Sequence, residues 1–185
     1  IDQTEKKIEI AAKVLEKTST ELSQNRKKAI PNFIKKTEKL LNQLGLEKAK
    51  IEVQLTDTES FTSFGKENIQ LLFQANSGFP LKPIQTAISG GERSRVMLSI
   101  KKLMAENAEL PTLILDEIDT GVSGKVAEEI GNVMKEMSEN MQLIVISHLA
   151  QVAAKGNDNY KVVKRKKTRK TQSTIISLNQ DEKLQ

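Results

Sequence analysis

Two short apolar runs with an amphipathic helix between them constrain this chain most. Leu113-Ile-Leu115 and Leu143-Ile-Val-Ile146 are apolar throughout, the pattern of strands buried on both faces. Between them, Val126 to Met137 sets Ile130, Val133, Met134 and Met137 on one helical face. Apolar strands alternating with helices predict a mostly parallel sheet flanked by helices, an α/β fold.

The first run leads into Asp116-Glu117 and the second into Ser147-His148. Both pairs are therefore expected at the carboxyl ends of buried strands, the edge where open parallel sheets bind ligands. Successive side chains of a strand point to opposite sides, so Asp116 and Glu117 take different tasks. One carboxylate suits a hydrated Mg²⁺, which prefers oxygen ligands and keeps several waters. The other suits a base that orients or deprotonates water. His148 is the only histidine, and neighbouring strands would bring it to the same edge.

Upstream, Ser89-Gly-Gly-Glu92 precedes a helical stretch containing Val96, Leu98, Ile100, Leu103 and Met104. Glycines let a backbone approach an anion closely, and a helix N-terminus favours negative charge. An ordinary capped helix with Glu92 in its first turn is the alternative for an isolated Ser-Gly-Gly. Asp119-Thr-Gly-Val-Ser-Gly124 is a tight loop beyond the carboxylates. It reads equally as a helix start capped by Ser123 or as a loop in communication with the site.

The remainder frames this region. Residues 1 to about 44 read as helix, with Ile1, Ile8, Leu15, Leu22 and Ala29 seven apart. That sparse heptad fits one strand of an antiparallel helical arm or an ordinary amphipathic helix. Pro31 is expected to break, kink or restart it, and Gly45 to end it. Ile51 to Leu55 and Asn68 to Gln74 read as strands, with a polar, turn-rich stretch over Thr56 to Lys66. Asn76 to Pro80 and Pro83 mark a loop. Tyr160 to Val163 and Ser173 to Leu178 suggest a closing antiparallel hairpin, with the basic run Lys164 to Lys170 in its turn.

Composition narrows the function classes. The chain has 185 residues and no cysteine, which excludes disulfides, thiolate metal sites and a cysteine nucleophile. No apolar run reaches membrane-spanning length, so no membrane partner is expected. Five Phe, one Tyr and no Trp do not make a stacking platform for single-stranded nucleic acid. The formal charge of +5 mildly favours anionic partners. A start at Ile1 directly in a helical pattern suggests a piece of a longer protein.

No Gly-x-x-x-x-Gly-Lys-Ser/Thr phosphate loop occurs, and Gly124-Lys125 is followed by Val126. Gripping a triphosphate requires that loop. It is therefore expected on polypeptide upstream or on another chain.

Taken in series, these motifs resemble those of ABC-type ATPases. Ser89 to Glu92 is similar to their signature motif, Leu113 to Glu117 to their Walker B strand, Asp119 to Gly124 to their D-loop, and Ser147-His148 to their switch histidine. Ser89-Gly-Gly-Glu-Arg-Ser-Arg95, Asp116-Glu-Ile-Asp-Thr-Gly121 and His148-Leu-Ala-Gln-Val-Ala-Ala154 resemble the SMC-like, RecN-type ATPases of bacterial DNA repair in particular. The resemblance runs from about Phe73 to Val163 and extends over the chain, with Ala150 where a proline would be expected.

The resemblance implies a C-terminal lobe of an ABC-type ATPase head in residues 45–185, with the root of a coiled-coil arm in residues 1–44. It implies ATP as substrate, Asp116 holding Mg²⁺ through water, Glu117 as catalytic base and His148 on the γ-phosphate. Ser89, Gly90, Gly91 and Glu92 would bind nucleotide held by the opposite head, and Asp119 and Gly121 would lie at the interface. The implied partners are DNA, a second head in an ATP-dependent dimer and the missing N-terminal half of the same head. The implied setting is the bacterial cytoplasm, at the nucleoid. Another SMC-like or transporter ATPase is one competing reading, and a non-catalytic DNA- or protein-binding scaffold is the other.

Overall fold

The structure, a computed structural model, describes residues 2–86, 89–107, 110–116, 118–119, 121–122, 124–167, 170–179 and 182, with side chains left out at 165–167, 170 and 171. The chain forms two compact units, Ile1–Glu92 and Arg93–Gln185.

The first unit begins with α1 (Asp2–Gln43). Residues 2–18 are exposed throughout, and the buried positions, Thr37, Leu40 and Leu41, fall near the other end. The helix runs through Pro31 without interruption, so the expected break does not occur. Proline removes one backbone donor, and a helix of 42 residues retains the rest of its ladder on either side. The end of α1 follows the sequence. Gly45 has φ 77°, Leu46 N–H donates to Leu41 O at 2.8 Å, and Gly45 N–H donates to Asn42 O at 3.0 Å. These two bonds cap the last carbonyls, and Leu41 and Leu46 are both buried.

β1 (Lys50–Thr62) and β2 (Gly65–Gln74) pair antiparallel, and the two-residue β3 (Lys82–Pro83) joins the outer side of β2. Ile51 faces Phe73, and Val53 faces Leu71. The expected turn over Thr56 to Lys66 is instead mostly strand, with Thr62 paired to Gly65 across two residues. Threonine and phenylalanine favour extended backbone, and the polar composition reflects exposure. Glu67 pins this hairpin to α1. Its carboxylate accepts from Ser23 Oγ at 2.6 Å and from Arg26 Nη1 at 3.3 Å, while Arg26 Nη2 donates to Phe64 O at 2.6 Å. The bond from Ser23 holds the Glu67 carboxyl below the ordinary glutamate range, Arg26 and Lys27 add to that, and burial opposes it.

The helix α2 (Gly90–Asn107) spans the division between the units. In the second unit, β4 (Thr112–Asp116) and β5 (Gln142–Ile146) pair parallel, joined through α3 (Gly124–Ser138). Ala127, Ile130, Val133, Met134 and Met137 of α3 are buried, as are Leu115 of β4 and Val152 of the short α4 (Ala150–Ala153). β6 (Asn159–Lys167) and β7 (Lys170–Leu178) close the chain as an antiparallel hairpin.

Three sequence expectations change here. Among the described residues, parallel pairing is confined to β4–β5, whereas β1–β2–β3 and β6–β7 are antiparallel, so the fold is α/β with mixed sheets. The apolar strands are not covered on both faces, since Ile114 is 59% exposed, Ile144 44% and Ile146 53%. Their alternate residues Leu113, Leu115, Leu143 and Val145 are the sheltered ones. The basic run is not confined to a turn either. It occupies paired strand out to Lys167 and again from Lys170.

Candidate functional site

The parallel register decides what shares an edge. Asp116 is the last residue of β4 and pairs with Ile146, the last residue of β5. Ser147 and His148 follow immediately, so the two chemistry-bearing exits lie on adjacent strand ends. This is the carboxyl edge, where the strands stop and loops take over. Asp116 and His148 are both exposed. By strand alternation Asp116 lies on the same face as the exposed Ile114. Glu117 lies outside the described residues, as does Ser123.

Behind this edge is a polar tie that sequence reasoning missed. Asp119 is 1% exposed, and its Oδ2 accepts a hydrogen bond from Ser147 Oγ. Ser147 Oγ in turn accepts from Leu149 N–H at 3.0 Å. One hydroxyl therefore braces the turn that carries His148 and anchors it to the loop after β4. Asp119 Oδ1 is buried without a hydrogen-bond partner among the described residues. A buried carboxylate oxygen left in that state is costly. The sequence held one signal: Ser147 precedes the lone histidine at a strand exit, where a short hydroxyl can bond local backbone. Gly121, farther along the same loop, is exposed with φ 76°.

The glycine pair lies in the first unit. Ser89 N–H donates to Glu92 Oε2 at 3.0 Å, and Ser89 Oγ donates to the same oxygen at 2.8 Å. Glu92 thus holds the residue just before α2, the carboxylate half of a capping box. The Ser-x-x-Glu spacing of Ser89 and Glu92 already carried that signal. Gly90 is exposed, and a Cβ added there would meet nothing within 4 Å. Packing among the described residues therefore gives no reason for glycine at 90.

Asp116 offers an oxygen ligand at an open edge, which fits a hydrated Mg²⁺ held mainly through water. The described residues contain no group of three His, Cys, Asp or Glu side chains arranged to hold a metal alone. The metal would need donors from elsewhere. No helix among the described residues is long and apolar enough to cross a membrane.

The profile of the RecF/RecN/SMC N-terminal domain matches residues 1–171. The chain belongs to this family. It is 32% identical over 171 residues to the DNA repair protein RecN of Haemophilus influenzae, a match covering 92% of this chain and 31% of that protein. The chain thus spans about a third of the length of this relative. Its fold matches the Smc head domain with coiled coil and joint from Pyrococcus yayanosii, with TM-score 0.67 and 19% identity over 99% of this chain and 34% of that one. It also matches an SMC ATPase structure concerned with ATP-driven dimerization and DNA-stimulated activation, with TM-score 0.58 and 18% identity over 85% of this chain and 89% of that one.

Proposed function

We propose that this chain supplies the C-terminal half of the ATP-hydrolysing head of an SMC-like, RecN-type protein acting in DNA repair and recombination in the bacterial cytoplasm. The observation that carries the reading is the β4–β5 register, which gives Asp116 and the Ser147-His148 turn a common edge. The family's profile is described as an N-terminal domain. The assignment to the later half of the head rests on motif order and on the lack of a phosphate loop in these 185 residues.

In this reading the phosphate loop comes from the N-terminal half of the same head, and ATP is clamped between two heads. Ser89, Gly90, Gly91 and Glu92 of one head meet the γ-phosphate bound to the other. Glu117 accepts a proton from the attacking water as the new oxygen–phosphorus bond forms and the bond to the β-phosphate oxygen breaks. His148 donates to the γ-phosphate oxygens, and the Ser147 brace keeps it in place. Asp116 is the residue that would hold Mg²⁺, whose charge offsets that of the phosphates. Gly121 presents the outer part of the D-loop to the opposite head, while the buried Asp119 shapes that loop from inside. The exposed first half of α1, with Ile8 and Leu15 on its heptad stripe, supports a paired coiled-coil arm.

The test uses the full-length protein with Glu117→Gln. ATP binding should persist and steady-state hydrolysis should stall, with ATP-bridged heads accumulating. Unchanged turnover would remove Glu117 as base. The 185-residue chain alone should not hydrolyse ATP, and turnover typical of an intact head would sink the division of labour.

A further inference from the structure

One stretch of this chain carries positive charge with no acidic residue among it. From Asn159 to Asn179 there are seven Lys and Arg residues and no Asp or Glu. The whole chain carries 29 basic and 24 acidic residues, so without this stretch it would be net negative by two. Six of the seven stand on paired strand, and the seventh, Arg169, lies outside the described residues. β6 and β7 pair in register from Asn159 opposite Leu178 to Lys167 opposite Lys170. Paired strand places alternate positions at a fixed spacing of about 6.6 Å on each face. By that register Lys161, Arg165, Lys167 and Lys170 are positions of one face, and Lys164 and Lys166 are positions of the other with Tyr160 and Val162. Lys161 and Lys164 are exposed, as are Tyr160 at 65%, Val162 at 62% and Ile175 at 70%.

We propose that the β6–β7 ribbon is a docking surface for the phosphate backbone of double-stranded nucleic acid. It gathers cations without an intervening carboxylate, which is the electrostatic footprint that releases counterions from a duplex. A two-stranded ribbon is also narrow enough to lie along a major groove about 12 Å wide. A single aromatic on the ribbon, Tyr160, gives no series of stacking faces, so recognition is of the backbone and independent of sequence. Ordering matters as well: cations held on paired backbone lose less freedom on binding than cations on a free loop. The inference rests on the reading of the full-length protein as one that acts on DNA, and it adds where the DNA is held.

The experiment titrates full-length protein against a fluorescent mixed-sequence duplex over a range of KCl concentrations. Three proteins are compared: the parent, the double variant Arg165→Gln with Lys167→Gln, and an equal charge change on α1, Lys6→Gln with Lys7→Gln. The ribbon variant should bind more weakly, and its slope of log affinity against log salt should fall in magnitude by about two, one for each phosphate no longer neutralised. The α1 variant should keep the parent slope. An unmoved thermal unfolding midpoint shows that each variant is folded. A parental slope in the ribbon variant, or the same loss in both variants, overturns the proposal. ATP hydrolysis by the parent is measured in parallel, so a ribbon without effect in an active ATPase fails alone. A parent that binds no duplex overturns both the proposal and the reading beneath it.

Discussion

Ser147 Oγ donates a hydrogen bond to Asp119 Oδ2 and thereby ties the loop after β4 to the turn that carries His148. Twenty-eight positions separate the two residues, and the parallel register of β4 and β5 brings their loops to one edge. The hydroxyl is used twice, since it also accepts from Leu149 N–H. The tie is internal to one compact unit, so its strength is measurable as stability and its consequence as catalysis.

Ser147→Ala should destabilise the chain by about 1–3 kcal/mol, because it removes the one hydrogen bond that the buried Asp119 carboxylate makes among the described residues. Ser147→Thr keeps a hydroxyl and should recover most of the loss. Urea unfolding of the three proteins reads this directly. A Ser147→Ala protein as stable as the parent would mean the brace carries no weight.

Gly90→Ala separates the two readings of the glycine pair. A Cβ at 90 meets nothing within 4 Å among the described residues, and alanine is the better helix former by about 0.5–1 kcal/mol. Thermal stability should hold or rise. ATP-dependent association of full-length heads, followed by light scattering, should be lost if that backbone meets a nucleotide. Intact association would leave Ser89 to Glu92 with only the capping role.

Glu67 makes the first unit sensitive to acid. Its carboxyl sits below the ordinary value of 4.5, chiefly through the bond from Ser23. A lowered folded value means that ionised Glu67 stabilises the fold above the unfolded value, and that this contribution disappears as pH falls through the folded value. Stability should therefore drop below about pH 4.5 more steeply in the parent than in Glu67→Gln. Parallel pH profiles of the unfolding free energy from neutral to about pH 2 would sink the assignment.

Gly65→Ala should cost roughly 1–2 kcal/mol from backbone conformation alone, since φ is +100° there. The added Cβ would also stand 3.0 Å from Leu22 Cδ2, so α1 and the hairpin would have to part slightly. Urea midpoints measure the loss. A neutral substitution would show that the turn relaxes without strain.

Several elements were legible because their signals are local. Gly45 after an apolar helical face gave the end of α1 and its cap, and the spacing of Ile130, Val133, Met134 and Met137 gave α3 and its buried face. The apolar runs gave β4 and β5 close to their observed bounds, with Asp116 at an exit. Three signals, the first only in so far as it foresaw a break, gave way for a common reason. Pro31, the polar stretch Thr56 to Lys66 and the basic run Lys164 to Lys170 each have a local preference that longer pairing overrides. Hydrogen bonds on both sides of one missing donor keep a helix intact, and cross-strand pairing holds polar or charged residues extended.

By itself, the order of residues determined the kinds of elements and the chemistry at their ends: apolar strands that run into carboxylates, and a lone histidine after a serine. Only the tertiary structure decided which ends meet, which sheet face stays exposed and which polar groups are buried. Asp119 and Ser147 lie far apart along the chain, and nothing in the spacing of either announces the other. Their bond depends on strand register, which is set by packing across the sheet and not by the residues that use it.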